Sequence, residues 1–453
     1  MHSAMYVAII AVFHVVASHL TVGAAWFNLY IERKAVKEDR PELYDYLRRS
    51  AKGLLVFAYV FGAMSGVGIW QATTAANPRG ISALIHNFVL FWGSEWYMFI
   101  IDVVGIIVYY YTLEKVDART HLRLAWILAL GGTGTLSLIV GILGFKATPG
   151  AWLETGEPLD GFFNPTFWPQ YPMRLFVMLA ITSVWAIVIA AGMRKGYPER
   201  ERIIRAASFC GLGGLAGAVL LGRFWYIPQL SDRTEAVLTS QALPAVTVMV
   251  IVGGMIVVAI YLMVAAWSPA AQTRLGSIAL FVVVFAAVFG AERTREVARK
   301  PDIVSGYMSS NQLVFDGLEA RGIPSEEAAI NEAGVAWLPW ANIPPGDLDP
   351  DEAQYQRGRM IALQQCASCH SVSDQTVIEV SGTQLALRQQ SRLFDAIAIR
   401  DEEAIDLFLT TLGGYPFMHE FVGTDEDRRA LAAYIATTIA EQQGVETNDL
   451  ATG

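Results

Sequence analysis

Residues 4–31 read AMYVAIIAVFHVVASHLTVGAAWFNLYI, and only His14 and His19 among them can carry charge near neutral pH. About 20 helical residues cross the hydrocarbon core of a bilayer, so this run reads as a membrane span. Further apolar runs follow at roughly 53–75, 84–112, 122–145, 172–193, 204–226, 242–267 and 274–292. Across all 453 residues, 54% are hydrophobic and 17% charged, and the mean hydropathy is +0.38. A soluble chain would carry about 25% charged residues. The expected fold is all-α: a polytopic membrane bundle of about eight transmembrane helices, with a small all-α domain behind it. The net charge of −9 decides little, since much of it comes from the acidic C-terminal third, and no nucleic-acid partner is expected. The first run lacks a basic leading region and outlasts a signal-peptide core, so it is expected to stay in the protein.

The loops set the orientation. The first holds Arg33, Lys34, Lys37, Arg40, Arg48, Arg49 and Lys52; the third, Lys115 and Arg119; the fifth, Arg194, Lys195, Arg200, Arg202 and Arg205; the seventh, Arg274. The intervening loops are poor in basic residues, and Lys and Arg concentrate on the cytoplasmic side. The N-terminus and everything after the last span are therefore expected in the periplasm of a bacterial inner membrane.

Cys366-Ala367-Ser368-Cys369-His370 has the C-x-x-C-H spacing of a c-type haem attachment site. Both thiols add to the haem vinyl groups and the imidazole becomes the proximal iron ligand. Such haems are attached outside the cytoplasm, which agrees with the loop charges. A zinc site would need further ligands, and only His419 is near in type. Tyr415-Pro416-Phe417-Met418 lies about fifty residues downstream. That order is similar to class I cytochromes c, and the resemblance implies Met418 as the distal ligand, with His419 or a merely structural Met418 as the alternatives. Thr424 or Asp425 can cap a last helix bearing Leu431, Tyr434 and Ile435. The division expected is a membrane haem-binding domain over 1–301, a periplasmic linker over 302–351 and a monohaem domain over 352–453. Pro324, Pro339, Pro344, Pro345 and Pro350 make the linker an extended, stiff segment, and Trp337 and Trp340 rest at the membrane interface or pack on the haem domain. Cys210 lies alone in an apolar run and reads as a packing residue.

Ionisable residues within a bilayer are costly and default to functional hypotheses. His14 lies about ten residues into the first span, where haem ligation or a buried hydrogen bond can satisfy it. His19 faces another side. His86 and His121 sit near span ends, where a solvated interfacial histidine is the ordinary reading. Glu95 and Asp102 are seven residues apart and share one helix face, as proton carriers or partners of a buried base. Glu292, Arg293, Arg295, Glu296 and Arg299 close the last span and by themselves read as solvated charges. Trp152, Phe162, Phe163, Phe167, Trp168 and Tyr171 cluster between the fourth and fifth spans, as a lid over a haem or a floor for the C-terminal domain.

Taken in order, residues 4–305 resemble subunit I of the cytochrome bd-type oxidases. The carriers are Ala4-Met5-Tyr6, Phe13-His14 through Leu20-Thr21-Val22-Gly23, His121 through Ala129-Leu130-Gly131, Gly144, Pro149, Asn164-Pro165, and Glu296-Val297-Ala298-Arg299-Lys300-Pro301 against the family's E-x-G-R-x-P. The resemblance implies that His14 and Glu296 are iron ligands of the active-site haems and that Arg299 supports them. It places Glu95 and Asp102 on the proton route. Haem b, haem d or both are implied beside the single haem c, as is a second membrane subunit. Departures accompany it. Met249 resembles one ligand of the family's low-spin haem, but Val177 and Met178 stand where its histidine belongs, after Arg174. The family's quinol loop is reduced to roughly residues 227–242, without its lysine and glutamate.

The leading expectation is a respiratory membrane protein moving electrons between the periplasmic haem c and membrane haems. If the dihaem centre is competent it is a terminal oxidase fed by cytochrome c. The alternatives are a non-catalytic electron-transfer subunit of a larger complex, exchanging electrons with quinone or a periplasmic redox partner, and a haem-depleted anchor and scaffold.

Overall fold

The computed structural model describes residues 3–240, 242–299, 302–335, 349–370, 372, 377–380, 383–386 and 401–442. Lys300, Pro301, Trp337, Pro339, Trp340, Pro344 and Pro345 lie outside the described residues.

Eight helices are long and apolar enough to cross a membrane: α1 (Ser3–Lys37), α2 (Leu43–Ala76), α3 (Val89–Thr112), α4 (Ala118–Gly144), α5 (Phe167–Ala191), α6 (Pro198–Gln229), α7 (Ala245–Trp267) and α8 (Arg274–Arg299). The eight apolar runs are all present. α1, α6 and α8 run on past their expected C-terminal ends. The Glu292–Arg299 charges pair with one another, so α8 keeps its helical turns through them. Residues 222–229 extend α6 in π and 3-10 turns.

Small residues set the closest helix approaches. Gly211, Gly214 and Gly217 of α6 face α5 so tightly that a Cβ at Gly214 would lie 2.7 Å from the Phe176 carbonyl oxygen. Lipid offers no hydrophobic incentive for helices to associate, so backbone-to-backbone packing of this kind holds spans together. Polar bonds cross the bundle too: Trp26 donates to Thr133 at 2.9 Å, and Ser50 to Asn28 at 2.9 Å. At the loop ends, Arg200 donates to the Gln272 and Pro269 carbonyls and Arg205 to that of Ala266. Guanidinium groups thus satisfy the Ala266 carbonyl at the C-terminus of α7 and two carbonyls of the turn that follows it.

Residues 302–335, the described part of the segment after α8 expected as an extended linker, form structure of their own. Asp302–Val304 (β1) and Met308–Ser309 (β2) pair antiparallel, and helix α9 (Glu326–Ala333) follows, N-capped by Ser325. Ile303, Val304, Tyr307, Met308, Val314 and Leu318 are buried in one core with Trp152, Phe145 and Phe162 of the bundle. Leu313, Ile330 and Val335 enter a different core, formed by the C-terminal module. The segment joins the two because its apolar residues alternate between them.

In that module α10 (Pro350–Ile361) crosses α12 (Asp425–Gln442), with α11 (Glu402–Leu409) alongside. Gly358 makes the crossing possible: a Cβ there would lie 2.0 Å from the Ala430 carbonyl oxygen. Tyr355 and Tyr434 pack edge to face across it, centroids 5.1 Å apart. Thr424 is the cap of α12, in a reciprocal box: its hydroxyl accepts from the Asp427 amide at 3.3 Å, and Asp427 accepts from the Thr424 amide at 3.0 Å. Asp427, fully buried, also receives Arg357 and the Val335 amide. Overpacking of this crossing in Gly358→Ala is expected to cost about 1–3 kcal/mol. Thermal unfolding of the full-length protein measures it, and a wild-type melting curve for the module would contradict the account.

Candidate functional site

Three constellations emerge. The first is in the C-terminal module. Ala362–Cys366 turns out of α10, and the Cys369 and His370 amides donate to the Cys366 carbonyl at 3.0 and 2.8 Å. That single turn brings both cysteines beside the module's core. Burial and the neighbouring Cys369 push the Cys366 thiol up to about 12. Among the described residues no three His, Cys, Asp or Glu side chains converge on a metal-sized point. Gln365 pins the opposite strand of chain, donating to the Val422 carbonyl and accepting from its amide at 3.0 Å. Met418 closes a turn onto Tyr415 (3.1 Å), and its carbonyl accepts from Arg233 at 3.1 Å. His419 is engaged elsewhere: it meets Asp302 at 2.9 Å and packs on Phe315.

Arg233 belongs to the short helix Asp232–Thr239 between α6 and α7, and also faces Asp302 at 3.6 Å. A second clamp is Arg79, which grips Glu326 with two bonds of 2.7 and 3.0 Å and the Gln312 carbonyl with another of 2.6 Å. Paired bonds from one guanidinium fix orientation as well as distance. The aromatic loop supplies the floor: Trp152 is buried and meets Tyr307 edge to face at 5.1 Å, while Phe163 and Trp168 stay exposed. Asn164 ties that loop to α4, donating to the Gly141 carbonyl at 3.1 Å.

The second constellation lies in the bundle near this docked end. The His14 Nδ1 faces the Gly62 carbonyl at 3.0 Å, so Nδ1 carries the proton and Nε2 is left with a free lone pair. A Cβ at Gly66 would touch the ring, 3.0 Å from His14 Cε1. His19 is arranged alike, its Nδ1 2.8 Å from the Val15 carbonyl and its Nε2 3.4 Å from Arg174. On α8, Glu296 is 1% exposed and paired with Arg295 (3.0 Å) and Arg299, and Glu292 with Arg295 at 2.7 Å. Both carboxylates are buried. The solvated reading of Glu292 is overturned because Arg295 neutralises it inside the protein. Glu292 acts electrostatically on His14 and Arg174, tying α1, α5 and α8 together. His14 thus lies within electrostatic reach of the charged end of α8, which carries Glu292, Glu296 and Arg299. Lys146, which the sequence had not singled out, also feels the Glu296, Arg295 and Arg299 charges. Met178 is buried, whereas Met249 is 63% exposed on the outer face of α7, so the two do not share a face.

The third constellation runs along α3. Asp102 is 6% exposed and accepts from the Tyr59 hydroxyl at 3.0 Å. Glu95 is partly exposed on the same helix. Seven residues beyond Asp102, Tyr109 donates to Glu32 at 2.9 Å, and Glu32 meets His121 Nδ1 at 2.6 Å. The other ring nitrogen faces the Tyr109 carbonyl at 2.9 Å and must donate to it. His121 is thus no solvated interfacial residue: it is 3% exposed, because Glu32 of α1 gives it a partner inside the bundle. His86, on the exposed Pro78–Asn87 helix, does lie at the surface, against the Ser82 carbonyl. Glu32 ends the first apolar run before Arg33 and Lys34, where it looked like part of a charged loop. Glu32→Ala would leave two buried polar partners stranded and is expected to cost about 3–5 kcal/mol. Glu95→Ala, by contrast, should fall within about 0.5 kcal/mol of wild type. Thermal denaturation in detergent compares them, and equal melting would refute the distinction.

Comparison with known proteins bears on the bundle. Residues 3–224 match the family model described as cytochrome bd terminal oxidase subunit I, a family of membrane respiratory oxidoreductases. The fold is similar to that of the bd oxidase from Geobacillus thermodenitrificans, with a TM-score of 0.58 and 16% identity, covering 71% of this chain and 90% of that one. The architecture is therefore the all-helical, multi-span fold of a bd-type oxidase. None of the curated proteins matches the chain.

Proposed function

We propose that this chain is the haem-bearing subunit of a bd-type membrane oxidase in which a covalently bound haem c replaces quinol as the point of electron entry. What supports this reading is the module bearing Cys366–His370, tied through the Met418 carbonyl to Arg233 in the α6–α7 loop of an eight-span bd-like bundle, where the family's quinol loop is reduced in this chain. Residues 352–453 are then a class I cytochrome c domain and residues 302–351 its linker. Both lie in the periplasm, with the N-terminus, on the loop-charge argument.

Cys366 and Cys369 would hold the haem c by thioether bonds, with His370 and Met418 as axial ligands, a pair that raises the iron potential. In the bundle, His14 offers Nε2 and Glu296 a carboxylate to a haem of b or d type, and Arg295 and Arg299 hold Glu296 in place. Haem bound there would supply the one-electron chemistry of oxygen reduction. Protons consumed there are carried by the α3 face, where the Asp102 carboxyl can receive one and Tyr59 holds it in orientation. Glu95 stands further along the same face. The matched family pairs subunit I with a second subunit, and such a partner is expected on the exposed apolar faces of α3 and α7.

A second reading, an electron conduit that does not reduce oxygen, draws support from the absence of a histidine at Val177 and Met178. Pyridine haemochrome spectra of the purified protein should show one covalent haem c plus extractable haem. Cys366→Ser with Cys369→Ser is expected to remove only the former, and His14→Ala only the latter. Extractable haem unchanged in His14→Ala would defeat the ligand assignment, and haem c alone in wild type would leave an anchor. Oxygen uptake with reduced cytochrome c tests turnover. Asp102→Asn should slow it by about 100-fold with haem content intact, and full-speed uptake in that variant would remove Asp102 from the proton route.

A further inference from the structure

Cations outnumber carboxylates in the buried region around Glu296. Glu292 and Glu296 are matched by Arg295 and Arg299. Two further cations, Arg174 and Lys146, have no carboxylate of their own among the described residues. Arg174 touches only the His19 ring, at 3.4 Å, and its Nε is buried without a partner. Lys146 is 8% exposed, and its ammonium makes no hydrogen bond or ion pair among the described residues. Burial, then the Arg299 guanidinium, push it well below the ordinary lysine range, with Glu296 opposing.

Uncompensated buried charge is expensive, and in proteins it is paired, neutralised or bound to a ligand. The geometry points to Lys146 and Arg174 as an anion-holding pair that receives the two carboxylates of the haem held by His14 and Glu296. This rests on the proposed function and deepens it. Two positive charges answer two propionates. Arg174 is preset for the task, because the Nδ1 proton of His19 goes to the Val15 carbonyl and leaves Nε2 as an acceptor that orients the guanidinium. His19 is thus a positioning residue. The chain also closes over Lys146, whose carbonyl accepts from the Ser305 amide at 3.0 Å, and this sealing favours a buried cofactor over a lipid headgroup.

The test uses full-length Lys146→Met, Arg174→Met and Lys146→Arg proteins, with the extractable haem quantified and its midpoint potential titrated. A nearby positive charge favours the reduced iron, so each Met variant should shift the redox equilibrium at least tenfold toward the oxidised form. For a one-electron couple that is a potential about 59 mV lower. Lys146→Arg should stay at the wild-type value. Unchanged potential and haem content in both Met variants overturns the proposal. So does loss of haem from Lys146→Arg as well as Lys146→Met, or loss of bound phospholipid phosphorus at constant potential. Wild-type protein with no extractable haem would overturn the proposed function and this inference together, a result separable from the others before any variant is made.

Discussion

Buried ion pairing at the end of α8 is the constraint around which the molecule is arranged. Glu296 is buried inside the bundle, and a carboxylate there is tolerable because Arg295 and Arg299 pair with it. Such a pair returns little net stability, because desolvation consumes most of its Coulombic gain. Breaking it is another matter, since the survivor is left charged in a medium that cannot solvate it. The arrangement therefore fixes geometry more than it adds stability. It determines where α8 ends, which face of that helix meets α1 and α5, and where the chain leaves the bundle.

The segment that follows turns this into a two-part structure with a defined interface. β1 begins three residues after Arg299, and Asp302 on it meets both Arg233 and His419. Arg79 holds Glu326 from the other side. The aromatic loop fills the space between. Charged clamps at the margin and interdigitated rings in the middle are the usual anatomy of a specific interface.

Much of this was readable from residue order. The eight spans follow from apolar runs whose length a bilayer dictates, and the Cys366–His370 turn from a spacing that chemistry dictates. Helix ends were less readable where they depend on tertiary surroundings: Arg295 stands three residues from Glu292, but nothing local reveals that the bundle will enclose the pair. The same holds for His121, whose partner Glu32 is 89 residues distant. Prolines misled in the segment after α8, because they stiffen a chain but do not say whether its apolar residues will find a core. Lys146 carried no signal, as a single lysine after a glycine-rich helix end looks like an ordinary loop cation.

The shortness of the path from Glu296 to Asp302 has a mechanical consequence. Asp302, six positions beyond the buried Glu296, meets Arg233 of the bundle loop and His419 of the outer module. A load on the module, such as the arrival of a docking protein, therefore falls on a residue close in sequence to the acidic side chains of the last turns of α8.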